Sequence, residues 1–172
     1  TYSEFESFFD GPVEVSLSKE SEQNIKISHN HLLSHLETKK PIYGVNTGFG
    51  KLSNIFIEGG DLEKLQVNLI RSHACGIGPP LDLGIVRTLI FLKLLTFAKG
   101  YSGVSLNLVK TMIQLFNLDI MPVIPEKGSV GASGDLAPLG HMALVLIGEG
   151  EVFFKGKKLK TKNALKKAGI KP

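Results

Sequence analysis

Cysteine and long hydrophobic runs are what this sequence most clearly lacks. Its single cysteine, Cys75, excludes a framework of internal disulfide bonds and is typical of a reducing compartment. The most apolar segment, residues 83–100, is interrupted by Arg87 and Lys93 and is too short between charges to span a bilayer. The first residues lack the basic flank and apolar stretch of a secretory signal. We therefore expect a cytoplasmic protein without a membrane partner.

Acidic residues are absent from the end of the chain. Residues 155–172 hold eight lysines and no aspartate or glutamate, whereas the whole chain has a net charge of only +4. This segment also lacks the arginines and aromatic side chains that fork around phosphates or stack on bases. The lysines are therefore interpreted as a solvated face, and we expect no nucleic-acid partner.

The remaining composition is that of a globular domain, with 42% hydrophobic and 21% charged residues among 172. Hydrophobic periodicity and capping residues predict a mainly helical fold with a few short strands. The predicted elements are a strand over 13–17, a helix from about Ser18, a glycine-rich loop over 41–60, a helix capped by Asp61 that ends near 75–81, helices over 82–98, 105–116 and 135–147, a hairpin turning at Lys155–Gly156 and a short helix over 162–169.

The helix predicted over 82–98 is apolar almost all round, which is typical of a central helix. We expect it to be buried on all sides, with part of its surface completed by other chain.

The stretch "GSVGASGDLAPLGH", residues 128–141, has glycines at every third position before an apolar run. It does not fit a phosphate cradle. The spacing differs from G-x-G-x-x-G, the preceding "MPVIPEK" makes a poor central strand, and no Gly-Lys step is followed by Ser or Thr. No nucleotide cofactor is expected.

Two interpretations of this stretch remain open from local chemistry. One is a tight turn that caps a helix, with Asp135 as the N-cap and Pro138 in the first turn. The other is backbone autocatalysis, in which the unhindered nitrogen of Gly134 attacks the carbonyl carbon of Ala132. Loss of water would then close a five-membered ring, and loss of the Ser133 hydroxyl would leave an electrophilic methylene. A helix starting at Asp135 would direct its positive end at that ring.

Two further motifs favour the second interpretation. "YGVNTGFGKL" (43–52), "NLIRSHACGIGPPL" (68–81) and "GSVGASGDLAPLGH" together resemble, in the same order, the histidine and aromatic amino acid ammonia-lyases. The similarity covers essentially all 172 residues. It implies the mainly α, aspartase/fumarase-like fold of that family, with the chain forming one N-terminal domain over 1–172. Family members are much longer, and the downstream helical bundle that assembles their homotetramer is absent here.

The resemblance also implies roles for individual residues. Ala132, Ser133 and Gly134 align with the triplet that forms the methylidene-imidazolone (MIO) electrophile, without a metal or a nucleotide. Tyr43 aligns with the catalytic base of the family. Without the resemblance, the sequence favours a packed tyrosine that braces a loop at Tyr43.

Ser72 and His73 align with the substrate pocket. The histidine-specific members carry Ser-His at this place, so the resemblance implies L-histidine as substrate and trans-urocanate and ammonia as products. A capping or core role for His73 stays open. Two other functions also stay open: a tyrosine or phenylalanine ammonia-lyase or MIO aminomutase, and a non-catalytic helical assembly module.

Other reactive residues are given structural interpretations. His31 and His35 lie one helical turn apart, but no glutamate of an H-E-x-x-H motif accompanies them. We expect surface histidines and no metal site. Cys75 is expected to be a small buried residue at a helix end rather than a nucleophile.

Overall fold

The computed structural model describes residues 13–57, 59–128 and 136–171. Helices dominate these residues, which confirms the mainly helical prediction. The α-helices are α1 (Lys19–Glu37), α2 (Gly59–His73), α3 (Leu83–Ala98), α4 (Leu106–Asn117), α5 (Leu136–Leu146) and α6 (Thr161–Ala168), with one turn of 3₁₀-helix at Gly50–Leu52. The strands are β1 (Ile77–Pro80), β2 (Met121–Pro122), β3 (Pro125–Lys127), β4 (Glu151–Phe154) and β5 (Lys157–Lys160).

Side-chain caps determine where three helices begin. Ser18 accepts a hydrogen bond from the backbone nitrogen of Ser21, and Ser105 accepts one from Leu108. Asp82 does the same for Gly84 at 2.8 Å. These three starts agree with the predicted ones, because an N-cap satisfies orphan backbone donors locally.

The helix start predicted at Asp61 is wrong. Helix α2 begins at Gly59, so Asp61 lies inside the first turn. There its negative charge interacts favourably with the positive end of the helix dipole without acting as a cap.

The predicted strand over 13–17 is also wrong, because these residues form no regular structure. The backbone nitrogen of Val15 donates to Oδ1 of Asn117 at 2.9 Å, and Nδ2 of Asn117 donates to the Val15 carbonyl at 2.9 Å. A side chain on α4 thus satisfies the backbone groups that a neighbouring strand would have bonded.

Short strands form where prolines and glycines predicted none. Strands β1 and β3 pair antiparallel, with Ile77 opposite Lys127 and Pro80 opposite Pro125. A two-stranded ribbon consists only of edges, where proline is tolerated. Strand β2 likewise lies at one edge of a three-stranded antiparallel sheet in the order β2-β4-β5.

The hairpin between β4 and β5 turns at the predicted residues. Lys155 and Gly156 have φ angles of 51° and 71°, both in the left-handed region that a tight two-residue hairpin turn requires.

The core has two clusters of buried side chains that meet on α4 and α5. One packs α1, α3 and α4 together around residues such as Ile25, Ile90 and Val109. The other joins α4 and α5 to β4 and α6 through Leu115, Val145 and Val152. Helix α5, which directly follows residues 129–135, is therefore anchored in both clusters.

Within the described residues helix α3 is only half covered, and its burial on all sides by other chain stays a prediction. Val86, Ile90 and Leu94 are buried, whereas Ile85 and Leu92 are about half exposed (50% and 48%). Helix α3 therefore presents an apolar stripe to solvent. Across the described ranges, no helix combines the length and the hydrophobicity that a bilayer crossing demands.

Candidate functional site

The predicted electrophile triplet, Ala132, Ser133 and Gly134, lies outside the described residues, as does Asp135. The described residues on either side show how this segment is anchored. Gly128 precedes it, and α5 begins at Leu136 directly after it.

The two ends of the segment lie against each other. A Cβ atom added to Gly128 would lie 2.9 Å from Cβ of Ala137 and 3.1 Å from Cα of Gly76. Contacts this short leave no room for a side chain at residue 128. Gly128 and Ala137 therefore lie together, next to the residues that follow α2.

Helix α5 also packs directly on the C-terminal end of α2. A Cβ atom added to Gly140 would lie 2.9 Å from the carbonyl carbon of His73 and 3.0 Å from the nitrogen of Ala74. Only a glycine allows the helix to approach the α2 backbone this closely. The predicted pocket residue His73 is thereby brought beside the helix that follows the predicted electrophile.

His73 is the last residue of α2 and is half-buried. Its Nδ1 atom lies 2.8 Å from the Leu69 carbonyl oxygen and 3.1 Å from Oγ of Ser72. A carbonyl oxygen can only accept, so in the neutral ring Nδ1 carries the proton and Nε2 remains as an acceptor. Ser72 is exposed and donates its hydroxyl to the Leu69 carbonyl at 2.9 Å, so it supports the same helix end.

A second histidine, His141, bridges α5 and the turn after α2. The backbone nitrogen of Gly76 donates to Nε2 of His141 at 3.0 Å. Burial lowers the pKa of His141, which favours the neutral ring that can accept this bond. Sequence reasoning missed this residue, although it ends the stretch "GSVGASGDLAPLGH".

An exposed ion pair joins the same two regions. The guanidinium of Arg71, in the last turn of α2, forks onto the carboxylate of Glu149 just beyond α5, with Nε 3.0 Å from Oε2. The hydrogen bond from Arg71 lowers the pKa of Glu149. The Arg71–Glu149 pair links the last turn of α2 to the residues just beyond α5, although exposed ion pairs contribute little stability.

Tyr43 lies on a turn and is 66% exposed. Its ring contacts the Phe49 ring edge-on, with the centroids 5.7 Å apart. The structure does not bury Tyr43 as a packed bracing residue, and its phenol is accessible from solvent.

Asn46 fixes the turn that carries Tyr43. Its side chain is 1% exposed. Oδ1 accepts from the nitrogen of Ile42 at 2.6 Å, and Nδ2 donates to the Lys40 carbonyl at 2.9 Å. These two bonds hold the backbone on the N-terminal side of Tyr43. Sequence reasoning also missed Asn46, which stands within "YGVNTGFGKL".

Helix α2 connects the Tyr43 turn to His73. Nε2 of Gln66 donates to the Val45 carbonyl at 3.3 Å. Gln66 precedes His73 by about two helical turns, or roughly 10 Å along the helix axis. The predicted base and the predicted pocket residue are therefore supported by one rigid element.

The remaining histidines lie elsewhere. His31 and His35 are exposed on α1, where their rings contact each other edge-on with centroids 4.6 Å apart. Over 13–57, 59–128 and 136–171, no group of three or more His, Cys, Asp or Glu side chains could hold a metal ion.

Cys75 is exposed, so its predicted burial is wrong. The inner side of its turn is occupied by α5, which contacts Ala74 and Gly76 on either side of it.

Comparison with known proteins gives consistent results. The model of the aromatic amino acid lyase family matches residues 1–172. A histidine ammonia-lyase of Halalkalibacterium halodurans is 50% identical over 158 residues, and one of Alkaliphilus oremlandii is 46% identical over 159. Each match covers 92% of this chain and 31% of the relative. The chain therefore spans about a third of the length of these relatives.

Solved structures share the fold. The phenylalanine aminomutase of Pantoea agglomerans superposes with a TM-score of 0.91 at 33% identity, covering 98% of this chain and 32% of that one. The histidine ammonia-lyase of Trypanosoma cruzi superposes with a TM-score of 0.85 at 31% identity, covering 98% and 32%.

Proposed function

This chain belongs to the aromatic amino acid lyase family, and we propose that it forms the electrophile-bearing N-terminal domain of a histidine ammonia-lyase. The reaction eliminates ammonia from L-histidine without oxidation and gives trans-urocanate. The observation that carries the proposal is the packing of Gly140 against His73, which joins the loop-bearing helix to the Ser72-His73 pocket segment. Histidine ammonia-lyases at 46–50% identity support the choice of substrate.

The residues that flank 132–134 fit an MIO group made from Ala132, Ser133 and Gly134. The contact between Gly128 and Ala137 holds the two ends of the segment together, and the N-terminus of α5 follows it directly. We propose that the nitrogen of Gly134 bonds to the carbonyl carbon of Ala132 with loss of one water. A second water leaves across the Cα–Cβ bond of Ser133. The group supplies an electrophile that makes the substrate amino group a better leaving group.

The chain's own side chains bind the substrate and move its proton. Nε2 is the acceptor of the His73 ring, and no hydrogen bond from another described residue reaches it, so we assign it the imidazole N–H of L-histidine. Tyr43 is assigned as the base that removes the β-proton, and the turn fixed by Asn46 holds it in place. Ser72 is assigned to the pocket through its support of the His73 ring.

The proposed active enzyme is a cytoplasmic homotetramer in which the 172 residues are one domain. Because this chain spans about a third of its relatives' length, the remaining chain is proposed to complete the pocket. The exposed apolar stripe on α3 supports a covering partner in that assembly. We expect the 172-residue chain alone to be inactive.

A tyrosine or phenylalanine ammonia-lyase, or an aminomutase, is the second candidate. The observation in its favour is the TM-score of 0.91 with a phenylalanine aminomutase, at 33% identity. The two histidine ammonia-lyases at 46% and 50% identity and the presence of His73 favour the first candidate.

Product analysis of the intact protein that contains this chain tests the proposal. We expect urocanate absorbance to rise with L-histidine, whereas an aryl acrylate or a β-amino acid would establish the second candidate. The Ser133→Ala variant should lose activity and the mass deficit of two waters, while Ser102→Ala, at an exposed residue on the connection between α3 and α4, should keep both. An active Ser133→Ala protein would contradict the MIO chemistry, and urocanate formation by the isolated 172 residues would contradict the incomplete pocket.

A further inference from the structure

One hydrogen bond connects the helix that follows the electrophile to the turn that follows His73. We propose that His141 is a positioning residue that fixes the start of helix α5, which follows the proposed electrophile in sequence, relative to the turn that carries His73. This inference rests on the proposed function, in which the two ends of the substrate are held by these two groups.

The path through His141 is short on the side of the electrophile. Helix α5 begins two residues after Gly134, and His141 follows Leu136 by about 7 Å along the helix axis. The helix is anchored in the core by Ala137, which is 3% exposed, and by Val145, which is 1% exposed. Because α5 is one anchored helix, a displacement at His141 also displaces the start of α5.

The path is equally short on the side of the pocket. Gly76 follows His73 by three residues, and the intervening turn is closed by the bond from the Cys75 nitrogen to the His73 carbonyl at 2.9 Å. The nitrogen of Ala74 continues the helical pattern to the Ile70 carbonyl at 3.1 Å. The nitrogen held by His141 thus belongs to the same rigid turn as His73.

The surroundings of Gly76 leave little freedom to replace this bond. A Cβ atom added to Gly76 would lie 3.1 Å from Nε2 of His141 and 3.2 Å from Cβ of Pro125. The turn is therefore enclosed between α5 and β3. Burial lowers the pKa of His141, so the accepting neutral ring persists at neutral pH.

The bond requires an acceptor at the position of Nε2, which makes the proposal specific. Glutamine places its Oε1 at a similar distance from the backbone and can accept the same N–H. Leucine fills a similar apolar volume and accepts nothing. A role in positioning therefore predicts rescue by His141→Gln and failure by His141→Leu, whereas space filling alone predicts the reverse order or no difference.

The experiment uses the intact protein with L-histidine, together with hydrogen exchange at the Gly76 amide. His141→Leu should lower kcat/KM by about 10- to 100-fold with a raised KM, because small misplacements of reacting groups carry large rate penalties. Its Gly76 amide should exchange faster. His141→Gln should stay within about threefold of the original protein and keep slow exchange, since a retained acceptor preserves most of the interaction. The matched changes His31→Leu and His31→Gln, at an exposed histidine on α1, should leave both measurements unchanged.

Each other outcome also decides the question. Equal effects of His141→Leu and His141→Gln, or an unchanged Gly76 exchange rate in His141→Leu, overturn the proposal. Loss of the two-water mass deficit in His141→Leu also overturns it, because His141 would then act on ring formation. If His141→Leu does not fold, His141→Asn replaces it. The shorter asparagine side chain does not reach the Gly76 nitrogen, so this variant should show the same loss of kcat/KM and the same faster exchange. Full activity of His141→Asn overturns the proposal. Absence of urocanate from the unmodified protein contradicts the proposed function instead. The exchange rate of the Gly76 amide in His141→Leu and His141→Gln then decides whether His141 holds the turn through its hydrogen bond to Gly76.

Discussion

Replacing Gly140 by alanine should destabilise the protein, although this residue lies inside a helix. In an open helix, Gly→Ala is favourable by up to about 1 kcal/mol because glycine loses more backbone freedom on folding. At Gly140 the new methyl would lie 2.9 Å from the His73 carbonyl carbon and 3.0 Å from the Ala74 nitrogen. Non-bonded carbon atoms prefer about 3.5–4.0 Å, so α5 must move away from α2 by several tenths of an ångström.

The magnitude follows from two opposing effects. Overpacking against rigid backbone costs about 1–3 kcal/mol, which exceeds the helix-propensity gain. Gly60 provides the matched control, because it is also helical and a Cβ atom there would lie more than 4 Å from the described residues around it. We expect Gly60→Ala to be neutral or stabilising and Gly140→Ala to be less stable than Gly60→Ala by about 1–3 kcal/mol.

Urea denaturation of the two variants at equal protein concentration measures this difference, as a change of midpoint at constant slope. In the intact protein Gly140→Ala should also lower kcat/KM for L-histidine, since the displaced helix end carries His73. If Gly140→Ala is stabilised as much as Gly60→Ala, then the close packing of α5 on α2 is not a constraint on this fold, and the reasoning is refuted.

Three further perturbations test other parts of the structure. Burial lowers the pKa of His141 below the ordinary 6.5, so the stabilising contribution of His141 is complete above that pH and is lost as the pH falls from 6.5 towards the folded-state pKa. Between about pH 7.5 and 5.5 the free energy of unfolding should therefore fall more in the original protein than in His141→Gln. Equal falls would contradict this. Asn46→Ala leaves the Ile42 nitrogen and the Lys40 carbonyl without their partner, so it should lower the free energy of unfolding by about 1–3 kcal/mol and lower kcat through Tyr43. Asn54→Ala, at an exposed residue, should change neither quantity. Denaturation and steady-state kinetics measure the two effects. Ser105→Ala removes the cap of α4 and should cost about 1 kcal/mol, with the exposed Ser102→Ala as its control, and an unchanged denaturation midpoint would show that the cap is dispensable.

The parts of the fold that sequence predicted well depend on interactions between near neighbours. Ser18, Asp82 and Ser105 each cap a helix by bonding to a nitrogen two or three residues away. The hairpin at Lys155–Gly156 likewise depends on two adjacent backbone conformations. Such patterns are visible in a short window of sequence.

The parts that were missed depend on distant partners. The backbone of segment 13–17 forms its hydrogen bonds with the side chain of Asn117, 102 residues away, rather than with a neighbouring strand. His141 binds the Gly76 nitrogen across 65 residues, and no local signal identifies that partner. Proline and glycine in β1 and β3 read as breakers, because the pairing of two edge strands becomes evident only in the folded chain. Cys75 reads as apolar, but its exposure is decided by which side of the turn α5 covers.

The contact between Gly128 and Ala137 has a consequence for the entropy of the proposed ring closure. Joining the ends of a free seven-residue loop costs about 1.7 kcal/mol of chain entropy beyond a constant term, by the logarithmic dependence on loop length. Here the packing of Gly128 against Ala137 holds those ends together before any bond forms. The folded core therefore reduces the entropic penalty of the proposed cyclisation at residues 132–134, and the electrophile should mature only after the chain has folded.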